Sequence, residues 1–421
     1  MVKSTKFNNG LNLLTEKYPG VRSVSVGFWV GAGSGFESAE ENGISHFTEH
    51  VTFKGTDKLT AFEIAKLFED YGASVNAFTS KEATCYYFKC IDENLEKCFA
   101  LLSHIFYESA FADEELDKER NVIIEEINMV EDAPEDICYD KLAESAYRGT
   151  ALARTILGPA DNVRRFKKKD VKSYTDRMYT PDNTVISVVG NAGHDEIVAL
   201  VEKYVMPKCG NGSCQKTYDA QVTGGGYAEY LKDFEQVNFA VSFPTLAFDD
   251  PLSAVQNVVS FCLGTGMSSR LFQVLREQKG LVYNVYTACS AYKNNGVFGI
   301  YVNTSGKNVI SAADAVRDEL DKLVRDGLSD EELERAKMQL RSGMLFSLEN
   351  MLSTMNAYGK FALSTGKTYD LEARLASVAA VGRNDAAEFC RKYFTTRDVS
   401  VAYVGKAQYP HGVELNGKFT N

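Results

Sequence analysis

None of the nine cysteines forms a Cys-x-x-Cys pair, and nine is an odd number. That argues against a disulfide framework and points to a reducing compartment, expected here to be the cytoplasm. Cys209 and Cys214 stand at a C-x₄-C spacing that would suit a metal or disulfide pair, but such a spacing alone carries little weight. No apolar run approaches the length of a membrane span, and the opening MVKSTKFNNG lacks the apolar stretch of a secretory signal, so no membrane partner is expected. Basic residues are in deficit: 46 Lys and Arg against 57 Asp and Glu leave a net charge of −11, which argues against nucleic acid or an anionic membrane as partner. An acidic cavity favouring basic peptides would fit that charge, and so would solubility alone. Phosphate-binding loops are missing too. GAGSG (31–35) lacks the G-x-G-x-x-G spacing, and GTGMSSRLF (264–272) has no Lys. The latter reads as a bend ahead of a helix, with Arg270 facing a chamber as one option. The basic run RRFKKK (164–169) reads as a solvated helix start.

What remains is an ordinary globular composition, 44% hydrophobic and 24% charged, on a chain of 421 residues. That length exceeds the size at which one core stops growing, so two or more domains are expected.

Histidine is scarce, with five in the chain, yet two of them fall in His46-Phe47-Thr48-Glu49-His50. At i and i+4 both imidazoles project from one helix face and can share a metal ion, while Glu49 reaches the same face as a general base. The order inverts the commoner His-Glu-x-x-His of zinc peptidases. Asn42-Gly43 supplies a helix start, but Thr48, Val51 and Thr52 are poor helix formers, so burial must hold this helix. Of the others, His104 reads as a core or edge residue and His194 as the opening of a helix.

A catalytic zinc site wants three protein ligands and an open position. Glu126 is the candidate third. It lies in DEELDKERNVIIEEINMVE (113–131), which opens with acids and carries Leu116, Ile123, Ile127 and Val130 at helical spacing. Glu119 and Glu126 are seven residues apart, hence two turns along one stripe, whereas Glu125 points elsewhere. Alone this would be a solvated acidic face; with the histidine pair, Glu126 becomes the ligand and Glu119 a carboxylate supporting one.

The chain also repeats itself. ADEELDKERNVI (112–123) recurs as SDEELERAKMQL (329–340), an offset of 217, and DNTVISVVG (182–190) recurs loosely as RDVSVAYVG (397–405), an offset of 215. Two matches at nearly one offset indicate a duplicated domain. The expected organisation is a metal-binding domain over 1–208, a Gly-rich linker over 209–226 and a second copy over 227–421. Gly343 stands where Glu126 would recur, so the fold is duplicated but the metal site is not. Strand-like runs (SVSVGFWV 23–30, CYYFKC 85–90, VISVVG 185–190) alternate with amphipathic helical ones (ENLEKCFALLSHIFYES 93–109). The fold class expected is α+β, each domain a mainly antiparallel sheet with helices packed on one side.

HFTEHVTFKGT (46–56), NAFTSKEATCYY (76–87) and ERNVIIEEI (119–127), with 75 residues between His50 and Glu126, closely resemble the pitrilysin/insulinase family of zinc peptidases. The nearest branch resembles that of the mitochondrial processing peptidase β-subunit and its bacterial relatives of about this length. The resemblance implies one Zn²⁺ per chain on His46, His50 and Glu126, Glu49 as base and Glu119 in support. It implies that the strand around Asn76 and Ala77 is an edge strand pairing with extended peptide substrate. LREQKGLVYNV (275–285) resembles the family's C-terminal Arg and Tyr pair, here Arg276 and Tyr283, which would grip a peptide carbonyl or carboxylate and donate to the oxyanion. The larger single-chain relatives carry four such domains. Two chains of this one would therefore form the same enclosed chamber as a homodimer, cleaving peptides or unfolded segments with zinc-activated water. The rival implied by the family is a non-catalytic binding or scaffolding subunit. Thr48, Val51 and Thr52 stand where many relatives have larger apolar residues, a departure that touches helix packing and not the ligands.

Overall fold

The computed structural model describes residues 2–420 except 215, 217–220 and 223, so part of the expected linker lies outside the described residues. The chain forms two compact units, neither of them contiguous. The first takes the described residues of Met1–Ile127, Thr155–Tyr218 and Phe346–Tyr369, and the second those of Asn128–Arg154, Asp219–Leu345 and Asp370–Asn421.

In the first unit β1 (Lys3–Lys6), β2 (Asn12–Lys17), β3 (Ser23–Val30), β4 (Ser74–Thr79), β5 (Thr84–Ile91) and β6 (Thr184–Gly190) form one sheet in the order β1-β2-β6-β3-β5-β4. Only β2 and β6 run parallel; the other neighbours are antiparallel. β3 reads as a continuous apolar run because both faces of the sheet are covered. Val24, Val26, Phe28 and Val30 join a core with the helices Ile44–Thr52 and Leu95–Glu108, while Trp29 points to the opposite face. There the helix Met351–Thr365, from the far half of the sequence, packs Met351, Met355 and Tyr358 against Trp29, Cys85, Val185 and Val189. Glycine makes this approach possible: a Cβ on Gly27 would stand 2.4 Å from the Met355 sulfur, and one on Gly359 would stand 2.2 Å from the Trp29 indole nitrogen.

The second unit repeats the plan. Its sheet of β7 (Tyr227–Leu231), β8 (Val237–Thr245), β9 (Val282–Ala291), β10 (Gly296–Thr304) and β11 (Ser400–Gly405) has the order β7-β11-β8-β10-β9, with only β7 and β11 parallel. This matches β2-β6-β3-β5-β4 strand for strand. Phe239, Val241 and Phe243 face the main core, and Ala240 faces Ile137, Cys138 and Leu142 of the helix Pro134–Ala146. The repeated sequences fall on equivalent elements: the helices Asp113–Glu131 and Asp330–Ser347, and the strands β6 and β11.

Each sheet thus has a second covered face, and the covering helix comes from the other half of the sequence. A single cut at 209–226 does not describe this packing, because Pro134–Ala146 and Met351–Thr365 cross it in opposite directions. Cys209 and Cys214 are free thiols, the former accepting a hydrogen bond from Asn9 at 3.1 Å. Among the described residues no helix is long and apolar enough to cross a membrane.

Candidate active site

Five of the sequence-predicted residues converge in the first unit. The helix Ile44–Thr52 carries His46, Glu49 and His50 and starts at Gly43, whose φ of 100° suits glycine. Thr48, Val51 and Thr52 are fully buried, so tertiary packing supplies what their helix propensity lacks. No N-cap side chain closes the helix start. Glu37 takes that place from outside, its buried carboxylate accepting from the Gly43 N–H at 2.8 Å, the Ser45 N–H at 2.8 Å, the Ser45 hydroxyl at 2.6 Å and the Asn42 amide at 3.0 Å. A negative charge on these orphan donors also meets the positive end of the helix dipole.

The helix Asp113–Glu131 faces it with Glu119 and Glu126. Glu126 Oε2 stands 3.5 Å from His50 Nε2 and 3.7 Å from His46 Nε2. Atoms bound tetrahedrally at about 2.0–2.1 Å from one ion lie roughly 3.4 Å apart, so this donor set fits a zinc-sized ion. Among the described residues it is the one group of three His, Cys, Asp or Glu side chains with donor atoms within 4.8 Å of one another. His50 Nδ1 donates to the ionised Glu119 Oε2 at 3.1 Å, so that in the neutral ring Nε2, the nitrogen nearer Glu126, is the one left to bind a metal. Lys54 holds the other Glu119 oxygen at 2.7 Å. His46 Nδ1 is buried without a hydrogen-bond partner among the described residues.

Burial, reinforced by the neighbouring His50, pushes His46 down to about 3, so its imidazole is neutral at physiological pH, the form that can ligate a metal. Burial acts on His50 in the same direction, but the Glu119 hydrogen bond and the charges of Glu126 and Glu49 outweigh it and raise the pKa. Burial would raise Glu119 too; hydrogen bonds from His50 and Lys54 reverse the sign and keep it ionised. For Glu49 burial wins: its pKa is raised, against the opposing effects of the Thr79 hydroxyl and His50. A half-buried carboxylate with a raised pKa beside a metal set is suited to take up and release a proton.

Asn76 and Ala77 lie on β4, the outer strand of the sheet, opposite Tyr87 and Tyr86 of β5. The Ala77 N–H donates to its own neighbour, Asn76 Oδ1, at 2.8 Å. A cavity of about 300 Å³ beside this strand is lined by Phe53, Lys54, Ala61, Ile64, Ala65, Val75 and Asn76. Arg276 and Tyr283 belong to the second unit. Arg276, in the last turn of a π-helix over Phe272–Gln278, sits over the Phe272 ring, and Tyr283, at the start of β9, is 58% exposed, so its hydroxyl is available. The option of a chamber-facing Arg270 does not hold, since its guanidinium is tied to Glu332 at 2.6 and 2.7 Å and to the Gly327 carbonyl.

Glu37, Lys54 and Thr79 escaped the sequence reading. Lys54 and Thr79 sit inside the quoted motifs, but their pairings with Glu119 and Glu49 join separate elements and leave no periodic signal. Glu37 precedes the helix too far upstream to read as a cap.

Two copies of one α+β plan, with a convergent His, His, Glu set that among the described residues lies in the first unit alone, define the class of protein. Residues 12–160 match the model of the insulinase family (peptidase family M16), and residues 165–340 match that of the peptidase M16 inactive domain. An uncharacterized zinc protease of Bacillus subtilis, YmxG, is 38% identical over 96% of this chain and 98% of its own length. Another from Streptomyces coelicolor is 32% identical over 96% of this chain and 89% of its own. In fold, the chain is similar to a protease from Helicobacter pylori, with a TM-score of 0.90 at 21% identity over 96% of this chain and 99% of that one. It is equally similar to a peptidase M16 inactive domain structure from Pseudomonas fluorescens, with a TM-score of 0.90 at 18% identity over 98% and 100%. The chain belongs to peptidase family M16, the insulinase family.

Proposed function

We propose that this protein is a zinc-dependent endopeptidase that cleaves peptides or unfolded segments. The observation that carries the reading is the convergence of His46, His50 and Glu126 with Glu49 beside them and Glu119 behind His50. The names of the relatives, zinc proteases, support zinc over other divalent ions. Zinc held there would polarise the scissile carbonyl and ease deprotonation of water. The chain's own residues do the rest. Glu49 accepts the proton of the attacking water and passes it to the leaving amine nitrogen. β4 captures the substrate as an added strand, its backbone displacing the Asn76 side chain from the Ala77 N–H.

Arg276 and Tyr283 complete the site from a second copy of the chain. The metal set and the Arg and Tyr pair lie on one polypeptide, so a two-fold homodimer suffices to build an enclosed chamber. There Arg276 grips a substrate carbonyl or carboxylate, and the Tyr283 hydroxyl donates to the developing oxyanion.

Glu49→Gln tests the assignment, because it keeps the shape of the site and removes the base. It should retain its zinc and lose roughly 10²–10⁴-fold in kcat on a quenched fluorogenic peptide. Near wild-type turnover would refute the role.

A further inference from the structure

Glu49 needs more than proximity to the metal set. A base works only if one oxygen is turned toward the water it deprotonates, and a carboxylate at the end of a long side chain has several rotamers. We propose that Thr79, on the substrate-capturing strand β4, is the positioning residue that fixes the Glu49 carboxylate. This rests on the peptidase reading above and names a residue that reading does not require.

The hydrogen-bond geometry carries the assignment. Thr79 Oγ1 donates to Glu49 Oε2 at 2.5 Å, a charge-assisted contact between two residues whose backbones lie on different elements. With Glu49 ionised, as a base must be, proton accounting fixes the direction. A threonine hydroxyl has one proton, and an ionised carboxylate can only accept. The neighbouring Thr84 spends its proton on the Ala32 carbonyl at 2.9 Å and stands 3.3 Å from Thr79, so it cannot replace Thr79 as the donor to Glu49. Thr84 is itself buried at the β4–β5 pairing, where it faces Thr79 in register. Glu49 Oε2 is thereby held by Thr79, which fixes the direction in which Oε1 points. Thr79 also ends the strand that carries Asn76 and Ala77, so the strand that captures the peptide orients the base that cleaves it.

Two near-isosteric variants separate orientation from packing. Thr79→Val keeps the volume and loses the donor; Thr79→Ser loses a methyl and keeps it. Thr79→Val should lower kcat by about 10- to 100-fold, the range for a hydrogen bond to a charged group, with KM within about twofold and zinc content unchanged. Thr79→Ser should recover kcat to within about threefold of wild type. The decisive arm combines Thr79→Val with Glu49→Gln: if Thr79 acts through Glu49, its substitution costs no more than about twofold in that background. The assignment is overturned if Thr79→Val turns over like wild type, if Thr79→Ser is as impaired as Thr79→Val, or if the full loss persists without Glu49. Should Thr79→Val misfold by thermal melting, Thr79→Ala is held to the same criteria. An active wild type with indifferent Thr79 variants sinks this assignment alone, whereas a wild type without chelator-sensitive cleavage sinks the peptidase reading with it.

Discussion

Glu119 accepts from His50 through one oxygen and from Lys54 through the other, and it is nearly buried while doing so. Its charge favours the His50 tautomer protonated at Nδ1, so under the proposed function its contribution is to metal affinity. Glu119→Gln should weaken zinc binding by about 10- to 100-fold in a chelator competition while leaving the fold intact. Affinity within about twofold of wild type would show that Lys54 and Glu119 form only a structural pair. At this scale the convergence of these side chains was legible because helical spacing is a local rule. Given a helix at 44–52 and another at 113–131, the rows holding His46, His50, Glu119 and Glu126 follow without knowledge of the tertiary fold. Glu37, Lys54 and Thr79 obey no such rule, since each acts on a residue of another element.

The elements were legible where burial shapes composition. SVSVGFWV coincides with β3, and the acidic run 113–131 with a single helix. The crossing helices were not, because nothing local in PEDICYDKLAESA or MLSTMNAYGKFALST says which sheet each covers; only tertiary packing decides it. Their docking depends on small residues. Replacing Gly359 by Ala would gain about 1 kcal/mol of helix propensity but drive a methyl into the indole of Trp29, the chain's one tryptophan. Overpacking of a fitted core costs about 1–3 kcal/mol and should dominate. Gly359→Ala is therefore expected to lower the denaturation midpoint and shift Trp29 fluorescence; an unchanged midpoint and spectrum would mean the helix rides loosely on the sheet.

For the whole molecule, the proposed function assigns each chain one metal set, in the first unit, and one Arg and Tyr pair, in the second. Gly343 occupies the place of Glu126 in the repeat, on the exposed surface of its helix. The proposed homodimer makes these parts complementary, and mixing inactive variants tests it. Glu49→Gln and Tyr283→Phe, each nearly inactive alone, should recover about a quarter of wild-type activity after random subunit exchange, because each hybrid holds one intact site. Verified exchange without recovery would rule out sharing between subunits.

Beneath all of this stands one claim, that His46, His50 and Glu126 hold a catalytic zinc. The direct measurement is elemental analysis of gently purified wild type and His50→Ala, paired with cleavage of a quenched peptide before and after chelation. About one zinc per wild-type chain, its loss in His50→Ala, and cleavage abolished by chelator and restored by zinc are the predicted results. Zinc-free wild type, undiminished zinc in His50→Ala, or cleavage indifferent to chelation would contradict it.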